Sequence, residues 1–326
     1  MISVNGLTKI YKSHIRQRNI VKDVLFRKFK EHTAVRKASF SIPQGEFVGF
    51  IGPNGAGKTT TLKILAGILH PTEGSVSVLG QNPFDKHHEF LRQIAFIMGQ
   101  RNQLVWDLPA IDSFDIQKAV YQIDSKSFES TKNTLLEILK CADLVNKPVK
   151  TLSLGERMKM ELINGLLYQP KIVFLDEPTI GLDIFSQEAI REFIREYQQM
   201  YKATVILTSH YLEDVKRLAK RLIIIDHGSI MYDGSLKNII EQYSTEKRIK
   251  ITLDELPKEQ DIVSIGQPVT YTYPQLVFSV KRTHLPEKIK QIAKQLSFSD
   301  LTVEDVSIEE VIRRFFKTPK KPQKTK

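Results

Sequence analysis

The apolar positions of the chain follow two periods that take turns. Short strand-like runs occur at Ile2–Leu7, Ala38–Ile42, Phe47–Ile51, Gly74–Leu79, Ile94–Met98, Ile172–Leu175, Thr204–Thr208, Leu222–Ile225 and Ile230–Tyr232. Between them, helical spacing predicts helices over Lys58–Ile68, over 111–142 with a break near Asp124–Ser127, over Gly155–Tyr168 and over Gln187–Tyr201. Phe47–Ile51 and Ile172–Leu175 are apolar without alternation, as expected of strands covered on both faces. Strands alternating with helices predict an α/β fold with a mainly parallel sheet. Pro43-Gln-Gly45 reads as a turn, and Asp226-His-Gly-Ser229 as the tip of a hairpin. Residues 14–31 place Ile20, Val21, Val24, Leu25 and Phe29 at helical spacing among Lys and Arg. That pattern predicts a basic helix, lying on anionic headgroups or a membrane partner, or packed on the domain with its charges solvated.

The pattern changes near Glu241–Lys250. Beyond it come strand-like Ile249–Leu253, Val269–Thr272 and Leu276–Val280, a helix Pro286–Leu296, a strand near Leu301–Val303 and a helix Ile308–Phe316. The expected organisation is a first domain over 1–240 with a basic insert at 12–37, a small α+β domain over 241–316, and a disordered basic tail over 317–326.

Composition narrows the class. No apolar run approaches the about 18 residues that cross a bilayer, and no signal peptide is visible, so a cytosolic chain is expected. The single cysteine, Cys141, excludes an intrachain disulfide and a cysteine-based zinc site, and its setting predicts a core position. The net charge of +11 is local: residues 12–37 carry nine Lys/Arg against two acids, and 311–326 carry seven against none. Such patches suit an anionic lipid surface or nucleic acid, or simply a solvated face and tail.

The candidate chemistry begins at Gly52-Pro53-Asn54-Gly55-Ala56-Gly57-Lys58-Thr59-Thr60, between a strand and a helix. Glycines there let backbone N–H groups wrap phosphate oxygens, and the helix adds its positive end. Lys58 can reach the β- and γ-phosphates, and the Thr59 hydroxyl can ligate Mg²⁺. The strand Ile172-Val-Phe-Leu ends in Asp176-Glu177, which places two acids at its C-terminal edge. Asp176 is the expected Mg²⁺ partner, and Glu177 the group that orients and deprotonates the attacking water. Leu152-Ser153-Leu154-Gly155-Glu156-Arg157 precedes a helix, with Ser153 lying 95 positions after Lys58 and 23 before Asp176.

In this order and spacing the chain resembles the ATP-binding cassette (ABC) ATPases over roughly residues 1–240, with Leu154 and Glu156 departing from their L-S-G-G-Q signature. The resemblance implies a P-loop core with a mainly parallel sheet, an antiparallel β subdomain and a helical subdomain. It implies that Ser153 and Gly155 contact the γ-phosphate held by the opposite subunit. It makes Gln100 the glutamine that senses Mg²⁺ and γ-phosphate, Asp183 of Gly181-Leu-Asp183 part of the loop that crosses the dimer, His210 the switch histidine, and Tyr11 the ring stacked on adenine. ATP and Mg²⁺ are the implied cofactors. A homodimer, or a heterodimer with another cassette, is implied as the working form.

The stretch from Met98 through Trp106 to Phe114 resembles ATPases of multidrug and sodium-extrusion-type exporters, which work with a separate permease chain. It implies a peripheral subunit at the cytoplasmic membrane face, with Trp106 and Phe114 as candidates for permease contact or for core. The rival class is a soluble ABC ATPase acting on nucleic acid or ribosomes through the basic patches. It is disfavoured: repair members carry a long coiled coil before the signature, translation members two cassettes, and excision members zinc-binding cysteines. A nucleotide sensor that does not hydrolyse is disfavoured because Glu177 and His210 are both present.

Overall fold

The computed structural model describes residues 1–15, 28–209, 211–243 and 246–317, in two compact units, Met1–Gly234 and Ser235–Lys326. The first unit contains strands β1 (Ile2–Ile15), β2 (Lys28–Ile42), β3 (Phe47–Ile51), β4 (Glu73–Val78), β5 (Ile94–Met98), β6 (Ile172–Asp176), β7 (Thr204–Thr208), β8 (Arg221–Asp226) and β9 (Ser229–Ser235). A six-stranded sheet in the order β5-β6-β7-β3-β8-β9 holds the centre, with its β5–β6, β6–β7, β7–β3 and β3–β8 pairs parallel. His227 and Gly228, both at positive φ, turn β8 into β9, as the His-Gly pair suggests. A three-stranded antiparallel sheet, β2-β1-β4, forms a separate layer.

Every residue of β6 and β7 is buried, and their side chains alternate between two cores. Val173, Leu175, Val205 and Leu207 meet Phe114, Phe128, Leu135 and Phe193 from the helices. Ile172, Phe174 and Ile206 meet Phe50 and Leu62 with Ile2, Val4 and Phe40 from the antiparallel layer. This double burial is why these runs lack polar alternation. Each fully buried large apolar side chain contributes about 1.5–3 kcal/mol.

Residues 14–31 do not form the expected helix where they are described. Ile15 ends β1 and Lys28 begins β2, with Tyr11 opposite His32, Lys12 opposite Glu31 and His14 opposite Phe29. The cross-strand pairs decide this: Lys12 and Glu31 form an ion pair at 3.1 Å, and the rings of His14 and Phe29 meet edge-on at 5.9 Å. Residues 16–27, with Ile20 to Leu25, lie outside the described residues. The helical stretch at 111–142 divides earlier than expected, into Ala110–Tyr121 and Ser125–Ile138. Gln122 takes a left-handed conformation, and Asp124 caps the second helix by accepting from the amides of Lys126 and Ser127. Cys141 is buried in the core, and burial pushes its thiol up to about 11. Helices Leu212–Leu218, Leu236–Tyr243 and Glu259–Ile265 were not expected from the periodicity.

The second unit contains β10 (Glu246–Leu253), β11 (Thr270–Thr272), β12 (Gln275–Lys281) and β13 (Phe298–Asp305) in the order β11-β12-β10-β13, all pairs antiparallel. Helix Glu259–Ile265 lies between β10 and β11 in sequence, and Leu285–Gln295 between β12 and β13. This is the split β-α-β-β-α-β topology. Ile262, Ile265 and Ile292 from these helices, with Leu296 just past the second, close a core with Ile249, Ile251, Leu276 and Phe278. No described helix is long and apolar enough to cross a membrane. The tail beyond residue 317 lies outside the described residues.

Candidate active site

The loop between β3 and the helix Lys58–Leu65 takes its shape from glycines that no other residue can replace. A Cβ on Gly52 would lie 2.1 Å from the Ile225 carbonyl oxygen, and one on Gly57, at φ +107, 2.3 Å from that of Ala34. Lys58 is 6% exposed, and its ammonium donates to the carbonyls of Gly52 (2.8 Å) and Pro53 (3.0 Å). Burial holds Lys58 below the usual lysine range, with the carboxylates of Glu177 and Asp176 opposing. The side chain of Ala56 is buried in the core below the loop.

β6 runs parallel to β5 and β7, so its C-terminal acids emerge at the same edge as the loop. Asp176 accepts from Thr59 Oγ1 at 2.8 Å and from Thr208 Oγ1 at 2.6 Å. Glu177 has φ +57, a left-handed conformation that is strained for a residue with a side chain. Its amide donates to the Thr208 carbonyl (3.0 Å), and its own carbonyl packs where a Cβ on Gly99 would come within 2.1 Å. The strain is thus enforced by neighbours on both sides, and it fixes the direction in which the Glu177 side chain leaves the strand.

Lys58, Thr59, Asp176 and Glu177 line a cavity of about 480 Å³ together with Tyr11, Asn54, Gly55, Gly57, Thr60 and Gln100. The Tyr11 hydroxyl lies 3.4 Å from Thr60 Oγ1, and Lys9 sits over its ring. The structure therefore brings the expected aromatic ring, phosphate loop, glutamine and two acids around one space.

A family model described as ABC transporter matches residues 35–180. The ABC transporter ATP-binding protein NatA of Bacillus subtilis (strain 168) is 32% identical over 223 residues, covering 68% of this chain and 90% of the relative. The chain belongs to the ABC transporter ATPases. The Nod factor export ATP-binding protein I of Burkholderia pseudomallei (strain K96243) is 32% identical over 215 residues, covering 66% of this chain and 70% of the relative. The uncharacterized ABC transporter ATP-binding protein YxlF of B. subtilis (strain 168) is 27% identical over 293 residues, covering 88% of this chain and 96% of the relative, so that similarity extends into the second unit. Among solved structures, the ATP-binding cassette MJ0796, a dimer in a post-hydrolysis state with ADP and Pi, shares the fold at TM-score 0.61 and 22% identity, over 72% of this chain and 99% of that one.

The other expected ABC residues lie apart from the cavity lining. Ser153 caps the helix Leu154–Leu166, and Gly155 is pressed against Ser186, whose hydroxyl a Cβ would meet at 2.3 Å. Asp183 caps the helix Ile184–Tyr201 through the amides of Phe185 and Ser186. Ser153, Gly155 and Asp183 thus form a cluster of their own within the chain. His210 lies outside the described residues. Phe114 is 0% exposed and packs in the core, which decides its two expected readings in favour of core over permease contact. It shares a helix face with Ala110 and Ser113, whereas Ile116 and Val120 of that helix are exposed. Trp106 is 45% exposed, with the Arg157 guanidinium over its ring at 5.5 Å.

Several site residues were not found from sequence. His32, Lys63 and Arg101 line the cavity. His32 arrives there because β2 places it opposite Tyr11, a pairing that the helical reading of 14–31 concealed. Glu161, buried in the helix Leu154–Leu166, accepts from the amides of Gln103 (2.9 Å) and Leu104 (3.4 Å), tying the segment after Gln100 to that helix. Burial holds the Glu161 carboxyl above the usual range against those two hydrogen bonds. Asp214, fully buried, accepts from Thr179, Ser209 and Arg191.

Proposed function

We propose that this ABC ATPase hydrolyses MgATP as the motor subunit of a membrane exporter. The observation that carries the reading is the convergence of Lys58, Thr59, Asp176 and Glu177 on one cavity at the C-terminal edge of the sheet. The donor set suits magnesium. Thr59 and Asp176 present hard oxygen atoms within hydrogen-bond distance of each other, and no group of three or more His, Cys, Asp or Glu among the described residues is placed to hold a metal ion. Magnesium held this way takes one or two protein oxygens and completes its shell with phosphates and water. Thr59 and Asp176 hold it, with Gln100 beside them. When bound, it neutralises charge on the terminal phosphates.

The residues then divide the work. Backbone amides of 52–60 cradle the phosphates, Lys58 leaves the loop carbonyls for the β- and γ-oxygens, and Tyr11 stacks on the base. Glu177, aimed by its fixed backbone, takes a proton from the water that attacks the γ-phosphorus, while His210 steadies the γ-phosphate. Positioning and charge neutralisation account for most of such a rate. Lys58→Ala is expected to weaken ATP binding roughly 10–100-fold, the value of about 1.5–3 kcal/mol for a charged hydrogen bond. Titration with a fluorescent ATP analogue measures it, and wild-type affinity with wild-type turnover would count against the phosphate loop.

Ser153, Gly155 and Asp183 serve a second cassette, so that ATP seals a head-to-tail dimer and hydrolysis opens it. A permease converts that cycle into export and holds the chain peripherally at the cytoplasmic face of the membrane. The exposed Val105, Trp106 and Leu108, in the segment that Glu161 ties to the signature helix, are its docking contact. Trp106→Ala is expected to leave the isolated ATPase rate within about twofold, as surface substitutions do, while permease co-purification falls. Unchanged co-purification removes this segment from the interface.

A further inference from the structure

The signature helix begins in a closed state. Ser153 Oγ accepts from the Glu156 amide at 3.3 Å, and in return both the Ser153 amide (2.9 Å) and its hydroxyl (2.7 Å) donate to Glu156 Oε2. Both protons that Ser153 can offer to a phosphate, amide and hydroxyl, are therefore already given to a carboxylate. Those two hydrogen bonds, from amide and hydroxyl, hold Glu156 below the usual carboxylate range, so it is anionic near neutral pH. A second carboxylate is close: a Cβ on Gly155 would lie 3.8 Å from Asp183 Oδ2, and Asp183 is itself held low by the hydroxyl and amide of Ser186. Arg157 is turned away over the ring of Trp106, and the cations that act on Glu156 through charge, Lys147 and Lys159, contribute less to its lowered range than the two hydrogen bonds from Ser153. A helix N-terminus ordinarily draws an anion to itself. Here an internal anion has taken the place.

We propose that Glu156 is a positioning residue that sets the strength of the ATP-sealed dimer, by competing with the γ-phosphate held by a second copy of this chain for the Ser153 hydroxyl and the helix end. The inference rests on the head-to-tail dimer proposed above. Closing the dimer requires the carboxylate to release Ser153 and leave the phosphate's path, so the closed state is weaker and shorter-lived than an uncharged residue at 156 gives. Glutamine keeps the cap, since its amide oxygen still accepts from the Ser153 amide, and removes the charge.

The test uses the full chain carrying Glu177→Gln, saturating MgATP, and sedimentation measurement of dimer affinity at low and high salt. Glu156→Gln is expected to tighten the dimer about tenfold or more at low salt, while the melting temperature falls by no more than about 1–4 °C for the lost charge at the helix end. With glutamate at 156, added salt is expected to strengthen the dimer by screening the carboxylate–phosphate repulsion, and with glutamine that effect shrinks. Glu156→Ala removes both cap and charge: a lower melting temperature with a tighter dimer supports the proposal. If glutamine gives the same affinity and salt response as glutamate, or if alanine weakens the dimer, Glu156 is a cap and nothing more, and the proposal is overturned. If ATP binds but no variant dimerises, the dimer reading fails first and takes this inference with it.

Discussion

Glu177→Gln is expected to bind MgATP at least as well as the unchanged chain, to hydrolyse it about 10²–10⁴-fold more slowly, and to accumulate as an ATP-bound dimer. The asymmetry follows from where Glu177 sits. The phosphate loop, Lys58 and the Thr59–Asp176 pair are built from other residues, and the backbone contacts that orient Glu177 involve its amide and carbonyl, which the substitution leaves intact. An isosteric amide therefore keeps the strained φ of +57 and the shape of the cavity but cannot accept the proton of the attacking water. Single-turnover hydrolysis measures the loss, and size-exclusion chromatography with ATP detects the trapped species. A near-normal rate would mean that another group takes the proton, and it would remove Glu177 from the chemistry.

How much of this was legible beforehand depended on how local each cause is. The phosphate loop and the Asp176-Glu177 strand end were legible because their chemistry requires fixed residue types at fixed spacing. The double burial of β6 and β7 shows in their unbroken apolar letters. At 14–15 and 28–31, the described ends of the helix expected over 14–31, the chain is strand instead, because helical spacing is a local signal, whereas Lys12, His14 and Ile15 are held by partners 13 to 19 positions away on the antiparallel strand β2. Phe114 was separable from Trp106 in principle. With Ala110 four residues before it on one helix face, its direction follows from the period, whereas the resemblance alone leaves both aromatic residues open between permease contact and core. Glu161 and Asp214 left no sequence signal, since a buried carboxylate is defined by donors that arrive from elsewhere: the amides of residues 103 and 104 for one, and residues 179, 191 and 209 for the other. The split topology of the second unit was hidden for the same reason, because strand order is set by pairing and not by sequence order.

Asp214→Ala is expected to be the most destabilising single change discussed, at about 3–5 kcal/mol, because it breaks one side of a buried ion pair. Asp214 Oδ1 accepts from Arg191 Nε at 2.6 Å, and Oδ2 from Thr179 Oγ1 and Ser209 Oγ, each at 2.5 Å. Removing the carboxylate leaves a buried guanidinium with Glu188 and Gln187 as its remaining partners, and strands two hydroxyls. At about 2–4 °C per kcal/mol for a domain of this size, the melting temperature is expected to fall by roughly 10 °C. The position of the partners adds a functional consequence. Thr179 stands two residues past Glu177, and Ser209 stands one before His210, so one carboxylate fixes the loops that follow β6 and β7. The phosphate loop is not among its partners. Asp214→Asn, which keeps the shape and can still accept on one oxygen, is therefore expected to retain ATP affinity while kcat falls, with a smaller loss of stability. An asparagine variant that melts and turns over like the unchanged chain would show that the loops are held by their own packing, and that the buried carboxylate stabilises the fold without setting the geometry of the site.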